Sequence, residues 1–449
     1  MSILGRMVPH EMKQSIGAVA GNPRFGVARD PAAARSAATM PFVLTLIVIG
    51  LFIPEELSFY MFGLRLTVVR LIFLLLTPVL LTRSIKKVSA GRYRFVLSDF
   101  FVVLTGFWLI CAPANVDGLM SALNHEGPLV LEFCIGYMAT RILLTEHGHA
   151  LSFVDVLCRA IAVMALVGIL DPVMNHRFAH DLAAQLGTPM HSIASWEDAH
   201  RLGLLRATGP IEHPILYGFI CVVGVLLAAS IPIRGRRFAI FSCSLGAIFA
   251  FSSAPIQTLV VGLGLLTYNH IFSRFSFRWP ALIIASAVGI IAAFLISNSP
   301  IGFIISNLTF SPGSGYYRQW TWHMVGLYVS QSPWFGLGDG PLPEEINHSI
   351  DSLWLVLEIH SGFPGAVLVA LSLIGAGAVL TNAPKSGLTP VEAKLAVTLS
   401  ILLFLIAYIS FTVHLWGTSW ILTGLLIGTK VHLSELGYLH PSTTPQRPS

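Results

Sequence analysis

The sequence predicts an all-α, polytopic integral membrane protein of about 12 transmembrane helices, with a partly helical outer loop before the tenth span. Three observations carry this. Hydrophobic residues make up 54% of the chain and charged residues only 11%, with a mean hydropathy of +0.74, whereas soluble domains run near one-quarter charged. Apolar runs of the roughly 17 to 25 residues that a membrane-crossing helix needs recur from residue 40 onward. None of them alternates with period two, as the strands of a membrane barrel would.

Residues 1–39 are rich in Ala, Arg and Gly and hold no apolar core for a cleavable signal peptide, which predicts a disordered basic cytoplasmic tail. The membrane domain follows over 40–430. Its spans are predicted at 40–54, 64–82, 97–113, 127–145, 150–171, 211–231, 237–253, 256–273, 279–297, 350–380, 393–413 and 414–429, with 431–449 as a second cytoplasmic tail. Two long outer intervals remain, 172–210 and 298–349, the second being the loop before the tenth span.

Cytoplasmic loops retain Lys and Arg, and with the N-terminus inside, the basic residues sort by side. Of the 27, only Arg65, Arg70, Arg177, Arg201, Arg206 and Arg318 are assigned to the outer side, and Arg159 is assigned to the interior of a span. The net charge of +5 and pI near 9.0 therefore arise in loops along one membrane face and indicate no nucleic-acid partner. Arginine kept on the outer face against this bias suits an anion, because its fork of donors matches phosphate or carboxylate. Arg65 and Arg177 are read instead as rim residues beside lipid headgroups. Asp155 and Arg159, four apart in the fifth span, are read as a structural ion pair. The five cysteines lie in or beside apolar runs and imply neither a disulfide framework nor a zinc site.

In Arg201–Gly218, RLGLLRATGPIEHPILYG, Arg206 precedes a Gly-Pro turn and the start of the sixth span. Guanidinium, free N–H groups and the positive end of a helix would together form an anion site, and a diphosphate at the outer surface is its natural ligand. A simple span-entry turn is the structural alternative, with His213 as a hydrogen-bond partner.

The RATGPIEHPILYG segment, followed by an Arg-containing helix, a PWFGLGDG turn and an Asn-His-Ser element leading into a span with EIHSGFPG, resembles the O-antigen ligase and O-antigen polymerase superfamily. The resemblance covers most of the chain beyond residue 40. It implies a bacterial inner-membrane glycosyltransferase that takes a glycan from undecaprenyl diphosphate at the periplasmic face, without a metal or other cofactor. Its partners would be the lipid-linked donor, a glycan acceptor, the bilayer and a chain-length regulator. The family commonly has His-Asn before the tenth span, whereas Asn347-His348-Ser349 stands here.

Between Tyr317 and Ser330 the residues Tyr317, Trp320, Met324, Leu327 and Tyr328 recur at helical spacing, which predicts an apolar face on a helix lying at the outer surface, with Arg318 at phosphate level. Tyr316, Trp320 and Trp322 are of the types that anchor at the headgroup zone. The turn over Ser332–Gly340 breaks this helix. Asn347 is read as the N-cap of the tenth span, with Asp351 in its first turn and His348 at the helix start, where the dipole disfavours imidazolium. His348 is thus the candidate general base for an acceptor hydroxyl, with a cap or interfacial role as its structural alternative. Arg206, Arg318 and Arg201 are the candidate diphosphate ligands.

Glu358 lies ten residues beyond His348, about 15 Å at helical rise, and is read as supporting the site, binding the acceptor or capping a neighbouring helix. Glu344 and Glu345 are candidate sugar contacts or simply solvated. Glu55 and Glu56 form an adjacent pair too sparse for a metal site, and no metal-binding motif is present. The residues do not separate ligase from polymerase; the style of RATGPIEHPILYG leans to exopolysaccharide polymerisation. A transporter or flippase of lipid-linked oligosaccharide is the competing class, although no inverted repeat is apparent.

Overall fold

A computed structural model of the chain describes residues 41–61, 64–91, 93–187, 200–296, 312–340, 342–344, 346, 350–378 and 387–439. Within these, the protein is built of helices and two short antiparallel hairpins. Helix α1 (Phe42–Leu51) leads to strands β1 (Ser58–Met61) and β2 (Leu64–Thr67), paired from Ser58–Thr67 to Met61–Leu64. Strand pairing takes up residues 64–67, so the second span starts at Val68 and not at 64. This helix, α2 (Val68–Ser89), is capped by the Thr67 hydroxyl and ends on Lys86 and Lys87, where positive charge complements the dipole.

Among the described residues six helices are long and apolar enough to cross a membrane. They are α2, α3 (Leu97–Asp117), α6 (His149–Met174), α11 (Arg278–Ile296), α13 (Leu353–Ala378) and α14 (Pro390–Ile409). Other apolar runs give shorter or interrupted helices. The run predicted at 127–145 becomes α4 (Leu119–Val130), a π-helical turn (Leu131–Ile135) and α5 (Gly136–Leu143). Pro128 lacks an N–H to donate, which favours an irregular ladder here, and Glu132 in the wide turn reaches Arg70 of α2 at 2.7 Å.

Helix α8 (Pro214–Ser230) is buried on nearly every face and packs against α6, α9 (Arg236–Phe249) and α10 (Ser253–Ile271). Lipid tails are as apolar as leucine, so close packing rather than transfer from water holds such helices together. Small residues permit it: a Cβ on Gly224 would stand 2.8 Å from both Cys243 and Ile161. Helix α15 (Gly417–Leu439) crosses against α5 and is equally enclosed.

Helix α13 is broken at Gly362, with φ 69° and ψ 178° and Pro364 just beyond. The freed carbonyls are satisfied from outside the helix, Ser361 by the Trp108 indole at 2.9 Å and Ile359 by Leu337 N at 2.6 Å. A Cβ on Gly362 would lie 2.2 Å from the Trp334 carbonyl oxygen, so the break and the turn beneath it require glycine.

The helix ends form two polar layers. One holds Arg141, paired with Asp99 at 3.2 Å and with Glu435, its guanidinium 4.7 Å from the Tyr93 ring centroid. In the same layer Arg159 pairs with Asp155 at 3.0 Å, as read from the sequence, and Asp155 also accepts from Arg234 N at 2.7 Å. Helix α15 runs past Lys430 to Leu439, and Val431, Leu433 and Leu436 are buried. Residues 431–439 are therefore part of the packed body and not of a tail, because Glu435 supplies a carboxylate to the buried Arg141. Lys430 is itself buried and donates to Ser400 at 2.6 Å.

Candidate functional site

The other polar layer carries the Arg206 segment. Hairpin β3 (His200–Arg201) with β4 (Leu204–Leu205) leads into residues 205–212, all buried. Asp171, near the end of α6, fixes this stretch from below. Its Oδ2 accepts from Thr208 N at 2.8 Å, the Thr208 hydroxyl at 2.9 Å and Gly209 N at 2.8 Å. At Gly209 (φ 55°) a Cβ would meet the Gly168 backbone at 3.0 Å, so two glycines let the loop lie directly on α6. Arg206 donates from Nε to the Ala250 carbonyl at 3.1 Å and Arg201 from Nη1 to that of Phe251 at 3.0 Å, both just past the C-terminus of α9. The negative end of that helix favours positive charge there.

Four guanidiniums from separate elements come within electrostatic reach of one imidazole. Burial first, and then Arg206, Arg177, Arg318 and Arg201, depress the pKa of His213 from 6.5 to about 3. His213 is the N-cap of α8: its Nδ1 accepts from Ile215 N at 3.1 Å, so the ring is neutral and its proton sits on Nε2. The imidazole therefore adds a donor to a group of cationic donors, an arrangement suited to a ligand with several anionic acceptors.

The predicted ligands Arg206, Arg201 and Arg318 thus each act electrostatically on His213. Arg177, expected at the lipid rim, joins them instead. It precedes α7 (Phe178–Leu186) and is 7% exposed. Burial works against its charge, while Asp171 and Asp181 support it. Arg65, the other arginine read as a rim residue, pairs with Glu55 at 3.3 Å and donates to Ser58 at 2.9 Å.

Arg318 lies on α12 (Pro312–Val329) and pairs with Asp351 at 3.1 Å. The buried face of this helix runs through Thr321, Val325 and Val329, which pack on Ile346, Leu355 and Ile359. The expected face is rotated: Trp320 and Leu327 are exposed, because branched residues rather than the aromatics fill the space above α13. Trp322 is held by a bond to the Phe411 carbonyl at 3.2 Å and stacks on that ring.

Glu345, Asn347 and His348 lie outside the described residues. Helix α13 starts at Leu353, with the Ser352 hydroxyl accepting from Leu355 N, so Asp351 precedes the helix instead of lying in its first turn. Glu344 is exposed, and Glu358 is half-buried on α13. Glu55 and Glu56 do not act as a pair: Glu56 is buried and bonds His180 Nδ1 at 2.8 Å. Glu212 caps α15 through Thr418 N and hydroxyl at 3.1 Å, and burial, then Glu55, raise its pKa well above the carboxylate range.

Sequence reasoning passed over a second group in this layer. Trp416 lies between His213 and His414, with ring centroids 5.7 and 5.2 Å away. His414, whose pKa falls to about 4 through burial and then His360, shares a cavity with Glu126, His360, Ser361 and Trp420. His360 Nδ1 stands 2.9 Å from Asp339 Oδ1 and 3.6 Å from Glu126 Oε1. A signal was available: His360 is a polar residue in an apolar span just before the Gly-Phe-Pro-Gly break, and such residues are functional candidates by default. No protein-family model and no curated protein sequence matches the chain.

Proposed function

We propose that the protein is a membrane glycosyltransferase that moves a glycan from undecaprenyl diphosphate to an acceptor sugar hydroxyl at the periplasmic face, as in exopolysaccharide or O-antigen polymerisation or ligation. The observation that carries this reading is the convergence of Arg177, Arg201, Arg206 and Arg318 on a neutral His213 beside the first turn of α8. A carrier diphosphate presents the acceptor oxygens that such a set of donors fits, and a site at the end of a membrane helix lets the polyprenyl tail stay in lipid. Arginines placed on the leaving diphosphate would stabilise its developing charge. His348 is the proposed base that takes the acceptor's proton.

On this reading the chain crosses the bacterial inner membrane about 12 times, the shorter and interrupted helices included. The layer with Lys86, Lys87, Arg141 and Arg234 faces the cytoplasm. The test is transfer by the purified full-length protein in detergent, supplied with an undecaprenyl diphosphate-linked oligosaccharide. New or longer glycans should form with wild type and be lost with His348→Ala and Arg206→Lys, while gel filtration shows both variants folded. Movement of the donor across proteoliposomes with no new glycosidic bond would replace this reading with a flippase.

A further inference from the structure

The group formed by Glu126, Asp339 and His360 lies apart from the arginines and serves none of the roles above. It is assembled from three elements: the second half of α4, the glycine-rich turn that follows α12, and α13 two residues before its break. One ligand atom from each lies within 4.8 Å of the others. The turn is positioned by Asp117 at the end of α3, whose carboxylate accepts from Asp339 N.

Charge balance in this group is poor. Glu126 is buried, the Asp339 side chain is 2% exposed, and the two carboxyl groups are in hydrogen-bond contact. Asp339 Oδ1 meets His360, but Oδ2 is buried without a donor. Their one cationic partner is the His360 imidazole, a single ring for two carboxyl groups, and among the described residues no lysine or arginine is paired with Glu126, Asp339 or Asp117. Buried carboxylates that outnumber their countercharge are costly, and proteins pair them or place them on a metal.

We propose that Glu126, Asp339 and His360 form a binding site for a divalent cation of the Zn²⁺ or Mn²⁺ class. Two carboxylate oxygens and one imidazole nitrogen make a mixed hard and borderline set that such ions accept. Ligand atoms bound to one ion at about 2.0–2.2 Å stand roughly 3–4 Å apart. The separations of 2.9 and 3.6 Å from His360 Nδ1 are close to that spacing. The His360 side chain is 30% exposed and borders the cavity shared with His414. An ion here would tie the broken helix α13 to α4 and to the turn after α12.

The experiment is metal uptake by the full-length protein, purified in detergent and stripped with EDTA. ZnCl₂ and MnCl₂ are titrated separately by calorimetry, and bound metal is counted by mass spectrometry after gel filtration. Wild type should take up about one equivalent of at least one ion, with affinity reduced about tenfold or more in Asp339→Asn and in Glu126→Gln. Asp155→Asn, in the opposite polar layer, should bind like wild type. Wild-type protein that takes up neither ion overturns the proposal, as does uptake unchanged in both variants; the two carboxyls then share a proton instead. The readout is independent of glycan transfer, so the site stands or falls separately from the proposed activity.

Discussion

Asp171 and Thr208 meet through a single oxygen: Oδ2 of the carboxylate accepts both the backbone N–H of Thr208, at 2.8 Å, and its hydroxyl, at 2.9 Å. This contact fixes the buried loop that carries Arg206 onto α6. Asp171→Asn exchanges an acceptor for a donor or rotates the amide away, and should lower stability by about 1–3 kcal/mol. Thr208→Val removes the hydroxyl alone and should cost about 0.5–1.5 kcal/mol. Unfolding in detergent, followed by tryptophan fluorescence, measures both.

Acid should weaken the same region. The pKa of His213 falls from 6.5 to about 3 on folding, so the unfolded chain binds a proton that the folded one refuses. The contribution is complete above pH 6.5 and is lost as pH falls from 6.5 toward 3. His213→Asn keeps a good N-cap without this titration, and its melting temperature should fall less than that of wild type between pH 7 and 4. Parallel curves for the two proteins would remove His213 as the source.

Glu212 has the opposite sign. Its pKa is raised in the folded state by burial and by Glu55, so the folded chain holds a proton that the unfolded chain releases, and stability declines as pH rises above the ordinary carboxylate range. Glu212→Gln retains an acceptor for Thr418 and should flatten that decline, gaining on wild type at alkaline pH in thermal melts.

The helical membrane character was legible because composition and run length depend on the lipid environment and not on which helices touch. Where a run meets a local device, the reading failed. Strand pairing at 64–67 delays α2, a π-helical turn splits the run at 127–145, and the Arg141–Glu435 pair draws 431–439 into the body. The proposed anion site was half legible. Charge bias marked Arg201, Arg206 and Arg318 as unusual, but the same bias gives no distances, so Arg177 was read as a rim residue and His213 as a hydrogen-bond partner of a span-entry turn. The grouping of Glu126, Asp339 and His360 spans more than 200 positions in the chain and depends on the break at Gly362. No local pattern announces it.

Residues 431–439 provide a test of domain extent. Termination after Leu439 should leave a monodisperse protein. Termination after Lys430 strips Arg141 of Glu435, and breaking a buried pair in this way costs about 3–5 kcal/mol. Size-exclusion profiles of the two truncations, with Glu435→Gln as an intermediate case, should rank in that order.

The central claim is that the converging arginines hold the diphosphate of a polyprenyl carrier. Its most direct test is the affinity of purified protein for undecaprenyl diphosphate, measured for wild type and Arg206→Gln with undecaprenol as the uncharged control. Loss of one charge-assisted contact is worth about 1.5–3 kcal/mol, or roughly 10- to 150-fold. The account predicts a weakening in that range for the variant and little binding of undecaprenol. Equal affinity of wild type and variant for the diphosphate, or equal binding of the uncharged lipid, would contradict it.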